Sequence, residues 1–221
     1  MLSTAPRSYA LLIHDVLLIS IMGVLAACGL IYEYLLSHYA GRIIGAVETA
    51  IYTMIGLMIV SMGLGAFAAK LIKDPFTGFA WLESLIAICG VSCILLIATF
   101  VGFSAVLPQV IAQTFALPPD LVPSGGVLDL LHEIATLSPY FFGVLIGFLI
   151  GMEIPLIARV RERVYGEHLE HNVGTIYGAD YIGAGVGAAL WVGIMLSLEI
   201  TEAAVLTAIA NLVAGMIFLT W

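Results

Sequence analysis

Charged residues are scarce in this chain. Only 10% of its 221 residues are Asp, Glu, Lys or Arg, whereas 62% are hydrophobic. Soluble domains are about 25% charged and about 45–50% apolar, so this composition excludes a typical soluble domain and indicates an integral membrane protein. The formal net charge of −8 says little about partners, because several of the acids lie inside apolar runs; we expect no nucleic-acid partner.

The sequence also lacks the cysteine and histidine patterns that would indicate a disulfide framework or a metal site. The three cysteines, Cys28, Cys89 and Cys93, lie in apolar stretches, and their odd number argues against a disulfide framework. The histidines show no metal spacing such as HExxH, and the sequence contains no evident Ser-His or Cys-His arrangement. We therefore expect no metal, no cofactor and no catalytic residue, and we expect that the chain is not an enzyme.

Long apolar runs are abundant instead. A helix that crosses a bilayer needs ~20 mostly apolar residues. Six windows satisfy this requirement: about 14–37, 47–71, 78–104, 136–158, 173–197 and 201–220. The sequence therefore predicts an all-α fold, a polytopic membrane protein with six transmembrane helices in a single domain, 1–221. Segment 127–134 is predicted as a separate short helix on the membrane surface.

Lysine and arginine predict the orientation of these helices, because positive charges accumulate on the cytoplasmic side. With the N-terminus inside, only Arg42 lies outside, and the other positive residues are cytoplasmic: Arg7, Lys70, Lys73, Arg159, Arg161 and Arg163. Both termini are therefore predicted inside (N-in/C-in), in a bacterial inner membrane. The arginines of segment 159–163 are interpreted as anchors for lipid phosphates.

Glycines recur at four-residue spacing in two predicted helices, which lets helix backbones approach closely. They are Gly143, Gly147 and Gly151 in the fourth helix, and Gly174, Gly178, Gly183 and Gly187 in the fifth. This spacing predicts that the fourth and fifth helices pack against each other as a hairpin.

Several acids lie within the apolar runs, where a charge costs at least ~2.5 kcal/mol. Counting the helical rise from the predicted cytoplasmic ends puts Glu83, Glu153 and Asp180 at one level, in the cytoplasmic third of the membrane. Glu33 stands apart, near the outer end of the first helix. Tyr177 flanks Asp180 by one turn and adds a hydroxyl or an aromatic wall for an ammonium group.

Two features near these acids matter for their role. Pro155 cannot donate to the carbonyl of Gly151, so it opens the backbone beside Glu153. Tyr181 directly follows Asp180. Two interpretations stay open: a salt-bridge network in which Lys70, Arg159 or Arg163 neutralises the acids, or a cavity open to the cytoplasm that holds a cation or relays protons.

Five motifs occur in a characteristic order: Cys28-Gly29-Leu30-Ile31-Tyr32-Glu33, Met62-Gly63-Leu64-Gly65, Glu83, Glu153-Ile154-Pro155-Leu156 with Arg159, and Asp180-Tyr181-Ile182-Gly183-Ala184. From about residue 15 to 220, the chain resembles the membrane domain of membrane-bound spermidine synthase-like proteins, also described as fused transporter/spermidine synthases. The resemblance implies six spans and a link to polyamines. The cytoplasmic aminopropyltransferase domain of Rossmann type that usually follows is not recognised in this sequence.

We therefore expect a membrane module that binds or moves a cationic, polyamine-like ligand through an acidic site facing the cytoplasm. The expected ligand-binding residues are Glu83, Glu153, Asp180, Tyr177, Tyr181 and Glu33. The alternative is a non-transporting scaffold or anchor that recruits other proteins. Expected partners are the lipid bilayer, a second copy of the chain or other membrane subunits, and a separately encoded soluble cytoplasmic protein.

Overall fold

A computed structural model describes residues 9–118, 121–166 and 172–219, and this described part is helical, with no β-strand. The predicted all-α class is confirmed. The helices are α1 (Tyr9–Ile44), α2 (Val47–Ala68), α3 (Pro75–Thr114), α4 (Val127–Ile150), α5 (Glu153–Tyr165), α6 (Asn172–Gly193) and α7 (Ile200–Leu219). Short 3₁₀ turns, Ala69–Leu71 and Met195–Ser197, follow α2 and α6.

Local chemistry explains several helix ends. α3 begins at Pro75, and the side chain of the preceding Asp74 accepts a hydrogen bond from the backbone N–H of Thr77. This N-cap satisfies one of the free N–H groups of the first turn, and proline is well suited to that position. α5 ends at Gly166, whose φ of 69° is the left-handed conformation that glycine adopts without strain.

The predicted fourth span differs from the structure in two ways. Segment 127–134 is not a separate surface helix but the first two turns of α4, continuous with the apolar run that follows. At the other end the helix breaks between Ile150 and Glu153, and α5 starts there. Pro155 explains this break, since it supplies no N–H to the carbonyl one turn earlier.

Helix α1 lies at the centre of the bundle and packs against α2, α4, α6 and α7, while α3 packs against α4 and α7. Close approaches occur where a glycine meets a neighbouring backbone. A Cβ on Gly151 would clash with the backbone of Met62 in α2, and one on Gly183 would clash with Gly23 in α1. The predicted hairpin of the fourth and fifth spans is therefore wrong: Gly143 and Gly147 of α4 face α2, and Gly183 and Gly187 of α6 face α1, whereas Gly174 and Gly178 have open space around them.

The outer surface of the described bundle is strongly apolar. Large side chains such as Phe67, Trp81 and Ile182 are 75%, 72% and 73% exposed. Six helical stretches are long and apolar enough to cross a membrane: Leu12–Ile44, Val47–Leu71, Pro75–Thr114, Val127–Tyr165, Asn172–Ser197 and Ile200–Ile217.

Candidate functional site

A cavity of about 290 Å³ lies between α2 and α6, with α1 behind it and the α4–α5 break at one side. Three acids line it, each from a different helix: Glu33 from α1, Glu153 from α5 and Asp180 from α6. Tyr177 of α6 also lines the cavity. The structure thus brings four of the six predicted site residues together.

Glu153 is the most buried of these acids, with only 2% of its surface exposed. It is the first residue of α5, so the break in the chain points this side chain toward the cavity that it lines. The side chain of Glu153 makes no hydrogen bond or ion pair with any described residue. Pro155, two residues on, lines the same cavity.

Glu83 does not line the cavity, in contrast to the prediction, although its carboxyl group is within electrostatic range of that of Glu153. It is fully buried on α3, where its Oε2 accepts a hydrogen bond of 2.7 Å from Nδ2 of Asn211 on α7. Among the described residues, its Oε1 has no hydrogen-bond partner, and neither has the hydroxyl of the buried Tyr32. Glu83 therefore lies in the core behind the cavity acids, and Asn211 is its hydrogen-bond partner, which the sequence did not indicate.

Tyr181 does not line the cavity either. It is 72% exposed, and its ring stacks on that of Tyr177 with 6.2 Å between the ring centroids. Tyr177 is therefore the aromatic residue that faces the cavity, and Tyr181 supports it from outside.

The arginines do not neutralise the cavity acids. Nη1 of Arg159 donates to the carbonyl of Ile72 at 2.7 Å, and Arg163 pairs with Asp74. Arg161 forms a buried ion pair with Asp15, at 2.8 Å from Nη2 to Oδ1. Of the two open interpretations, the salt-bridge network is therefore wrong, because among the described residues none of Lys70, Arg159 and Arg163 forms an ion pair with these acids.

One polar contact near the far end of α3 was missed at the sequence level. Oγ of Ser104 lies 3.3 Å from Nδ1 of His132, which is on α4. Asp129, one turn before His132, instead accepts a hydrogen bond from the backbone of Gly125, so these residues do not form a catalytic triad. Within the described ranges, no three His, Cys, Asp or Glu side chains are close enough to hold a metal ion.

Comparison with known proteins identifies relatives along almost the whole chain. The chain is 65% identical over 205 residues to a polyamine aminopropyltransferase of Shewanella oneidensis, a match that covers 93% of this chain and 36% of that protein. Polyamine aminopropyltransferase 2 of Streptomyces coelicolor is 32% identical over 194 residues, covering 87% of this chain and 31% of the relative. A polyamine aminopropyltransferase of Mycobacterium tuberculosis is 30% identical over 203 residues, covering 90% and 34%. The chain thus spans about a third of the length of these relatives.

No protein-family model and no solved structure matches the chain. The relatives contradict the predicted transport or binding module and the scaffold alternative, because each of them is named as a transferase. The expectation that the chain is not an enzyme is wrong for the same reason. The predicted localisation in a bacterial inner membrane and the predicted role in transport are likewise contradicted, because the relatives are named for an enzyme activity and apolar helices alone do not show where a protein is located.

The predicted dimer and the predicted soluble partner stay predictions, since neither the described residues nor the relatives test them. The resemblance to spermidine synthase-like proteins is confirmed at a coarser level. Along 93% of its length, this chain shows strong homology to polyamine aminopropyltransferases.

Proposed function

We propose that this chain takes part in the transfer of an aminopropyl group to an amine, as a helical part of a polyamine aminopropyltransferase. The observation that carries the proposal is the 65% identity over 205 residues to the Shewanella protein of that name. Because the match covers only 36% of that relative, the proposal concerns the role of one part of such an enzyme.

The chemistry of the reaction defines what such a part can contribute. In aminopropyl transfer, the lone pair of an acceptor nitrogen forms a bond to the propyl carbon, the bond from that carbon to the leaving group breaks, and a proton leaves the acceptor nitrogen. The other nitrogens of a polyamine stay protonated and need carboxylates as partners. The acids of the cavity, Glu33, Glu153 and Asp180, are groups of that kind.

The six long helices are proposed to cross a lipid bilayer, with both ends on the side that carries most of the lysines and arginines. The support is physical: side chains such as Phe67 and Trp81 point outward, and lipid covers such surfaces without the penalty of hydrating them. Flotation of the purified chain with liposomes in a density gradient tests this. Recovery of folded chain at the bottom, free of lipid, would contradict it.

A chimeric enzyme tests the role in aminopropyl transfer. The segment of the Shewanella protein that matches this chain is replaced by this chain, and labelled putrescine is converted in lysates to a product larger by one aminopropyl group. We expect the chimera to keep activity and the relative without the segment to lose it. If a folded chimera is inactive, or if deletion of the segment leaves activity unchanged, the chain does not have the proposed role.

A further inference from the structure

Helices α2 and α4 run side by side in a register that two backbone contacts fix. Gly151 of α4 lies against the backbone of Met62 of α2. One turn earlier on both helices, Gly147 lies against the backbone of Met58. Because the residue numbers rise together on the two helices, α2 and α4 are parallel, and the level of any residue of one can be counted onto the other.

In this register α4 extends beyond the ends of α1 and α2. Counting back equally from both contacts puts Val47, the first residue of α2, beside Thr136 of α4. α1 ends at the same level, because its Gly41 lies against Val47. α4 begins already at Val127, about nine residues or roughly 13 Å further out. α3 accompanies this projecting part of α4, so the two helices form a projecting hairpin.

The projecting hairpin lies outside the layer that the other helices span. The stretch Val47–Leu71 is 25 residues long, or roughly 36 Å, which is enough to cross the ~30 Å hydrocarbon core of a bilayer. Arg42 and Glu48, both exposed, lie at its Val47 end, where charged side chains need water or lipid headgroups. Lipid chains therefore do not cover the projecting part of α4, whose surface meets water with or without a bilayer.

An exposed apolar seam nevertheless runs along α4 from its first residue. We call it the α4 seam, and its members are between 51% and 80% exposed: Val127, Leu130, Ile134, Leu137 and Phe141. Their spacing alternates between three and four residues, which is the a/d pattern of a coiled coil. The opposite side of α4, with Ala135 and Pro139, is buried against the bundle. The seam therefore has the pattern of a helix–helix contact but no partner among the described helices.

The α4 seam is part of a face large enough for a specific interface. A cavity of about 540 Å³ opens beside the seam, between it and Leu96 and Phe100 of α3. Together these seven side chains leave on the order of 500 Å² of apolar surface exposed on one copy. Two copies that matched this face would bury about 1,000 Å², which reaches the lower limit for a specific protein interface.

We propose that a second copy of this chain covers this face, with the two α4 seams side by side and the Leu130 side chains of both copies in contact. A two-fold axis parallel to the helices makes the paired α4 helices parallel. The charges permit this pairing: Glu133 flanks the seam and meets Ser138 of the other copy, not a second acid, and Asp129 bonds back to the backbone of Gly125. The inference goes beyond the proposed function, from which it uses only the position of the bilayer.

Cysteine cross-linking of the purified full chain in mild detergent tests the contact. Under mild oxidation, Leu130→Cys should shift most of the chain from 23.5 kDa to twice that mass on a non-reducing gel. Val47→Cys is the matched control, because Val47 is 51% exposed at the neighbouring helix end but lies off the seam. Wild type, whose own cysteines are buried or half-buried, gives the background. Equal cross-linking of Leu130→Cys and Val47→Cys would overturn the proposal.

Counting the copies in liposomes tests the pair independently. With one fluorophore per chain, most wild-type spots should bleach in two steps, whereas the double variant Leu130→Glu/Ile134→Glu should bleach in one and keep the wild-type unfolding midpoint. Mixing Leu130→Glu chains with Leu130→Lys chains should restore two steps, because opposite charges then meet at one layer of the seam. Single-step bleaching of wild type would mean that lipid covers the face and would overturn the pair. Two-step bleaching of the double variant would place the contact elsewhere and would overturn it as well.

This inference and the proposed function fail separately. If Leu130→Cys cross-links but the chain does not float with liposomes, the pair stands and the crossing of a bilayer fails. If the chain floats and the chimeric enzyme is active but wild type is a single copy, the proposed function stands and the α4 seam is not an interface between copies.

Discussion

Replacing Arg161 by methionine tests the ion pair that joins three helices of the bundle. Arg161, on α5, lies 2.8 Å from Oδ1 of Asp15 on α1, and its Nη1 donates to Oδ1 of Asn172 on α6 at 2.6 Å. Methionine keeps an unbranched apolar chain of similar reach but removes all the donors. Asp15 would then lose its cation, and the amide oxygen of Asn172 would lose its donor.

The exposure of the two partners sets the expected magnitude. The side chain of Arg161 is 6% exposed and that of Asp15 is 20% exposed. Removing one partner of a buried ion pair costs about 3–5 kcal/mol. Because water reaches part of Asp15, we expect a loss near the lower value, about 3 kcal/mol. For a chain of this length each kcal/mol shifts the unfolding midpoint by about 2–4 °C, so the midpoint should fall by about 6–12 °C.

The assay is thermal unfolding of the purified chain in detergent, and the matched control is Arg163→Met. Arg163 pairs with Asp74 at 2.7 Å, but these side chains are 52% and 49% exposed, so water screens the pair and its loss should matter little. Adding Asp15→Leu to Arg161→Met should recover much of the lost stability, because it removes the uncompensated charge. If Arg161→Met and Arg163→Met lower the midpoint equally, burial of the Arg161 pair does not contribute as argued.

Three further predictions follow from single contacts. Gly151→Ala should destabilise the chain by more than about 1 kcal/mol, because the added Cβ clashes with the backbone of α2. Gly56→Ala should be neutral or stabilising, because the space around Gly56 is open. Denaturant titration of both variants measures the two free energies of unfolding. Hydrogen bonds from Thr77, together with the nearby guanidinium of Arg163, lower the pKa of Asp74. The contribution of Asp74 to stability should therefore be present above the ordinary aspartate pKa and disappear as pH falls through the lowered pKa. The pH dependence of the unfolding midpoint, compared between wild type and Asp74→Ala, measures this contribution. Asn211→Leu should lower the midpoint, because it removes the donor to Oε2 of a fully buried glutamate whose other oxygen is already unpaired.

The helices were predictable because uninterrupted apolar runs leave few alternatives to helical structure. The neighbouring helix against which each of them packs was not predictable from the sequence. A four-residue glycine spacing indicates that some backbone approaches closely, but it does not specify which one, and Gly151 and Gly183 turned out to face α2 and α1. The role of Arg161 was equally hidden, since its partner Asp15 lies on the first helix and only the folded chain brings the two together.

The candidate site shows the same limit within individual helices. Counting residues gives the depth of an acid along a helix but not the side of the bundle that it faces after packing. Glu83 was therefore placed correctly inside the apolar core, yet it points to Asn211 and does not line the cavity. Glu33 was set apart because its level along the first helix differs, but it lines the cavity together with Ala26 and Gly29 of α1.

The error in predicted function has a related physical cause. Buried acids beside an opened backbone indicate a place where a cationic group is stabilised, and both transporters and enzymes that act on amines need such a place. What separates them is whether the bound amine gains a covalent bond, and no feature of an apolar helix reports on that. The relatives are named as transferases, and the structure brings the acids Glu33, Glu153 and Asp180 to one cavity. Aminopropyl transfer by the chimeric enzyme is therefore the measurement that tests the proposed function, because binding of an amine alone does not distinguish an enzyme from other proteins that hold the same amine.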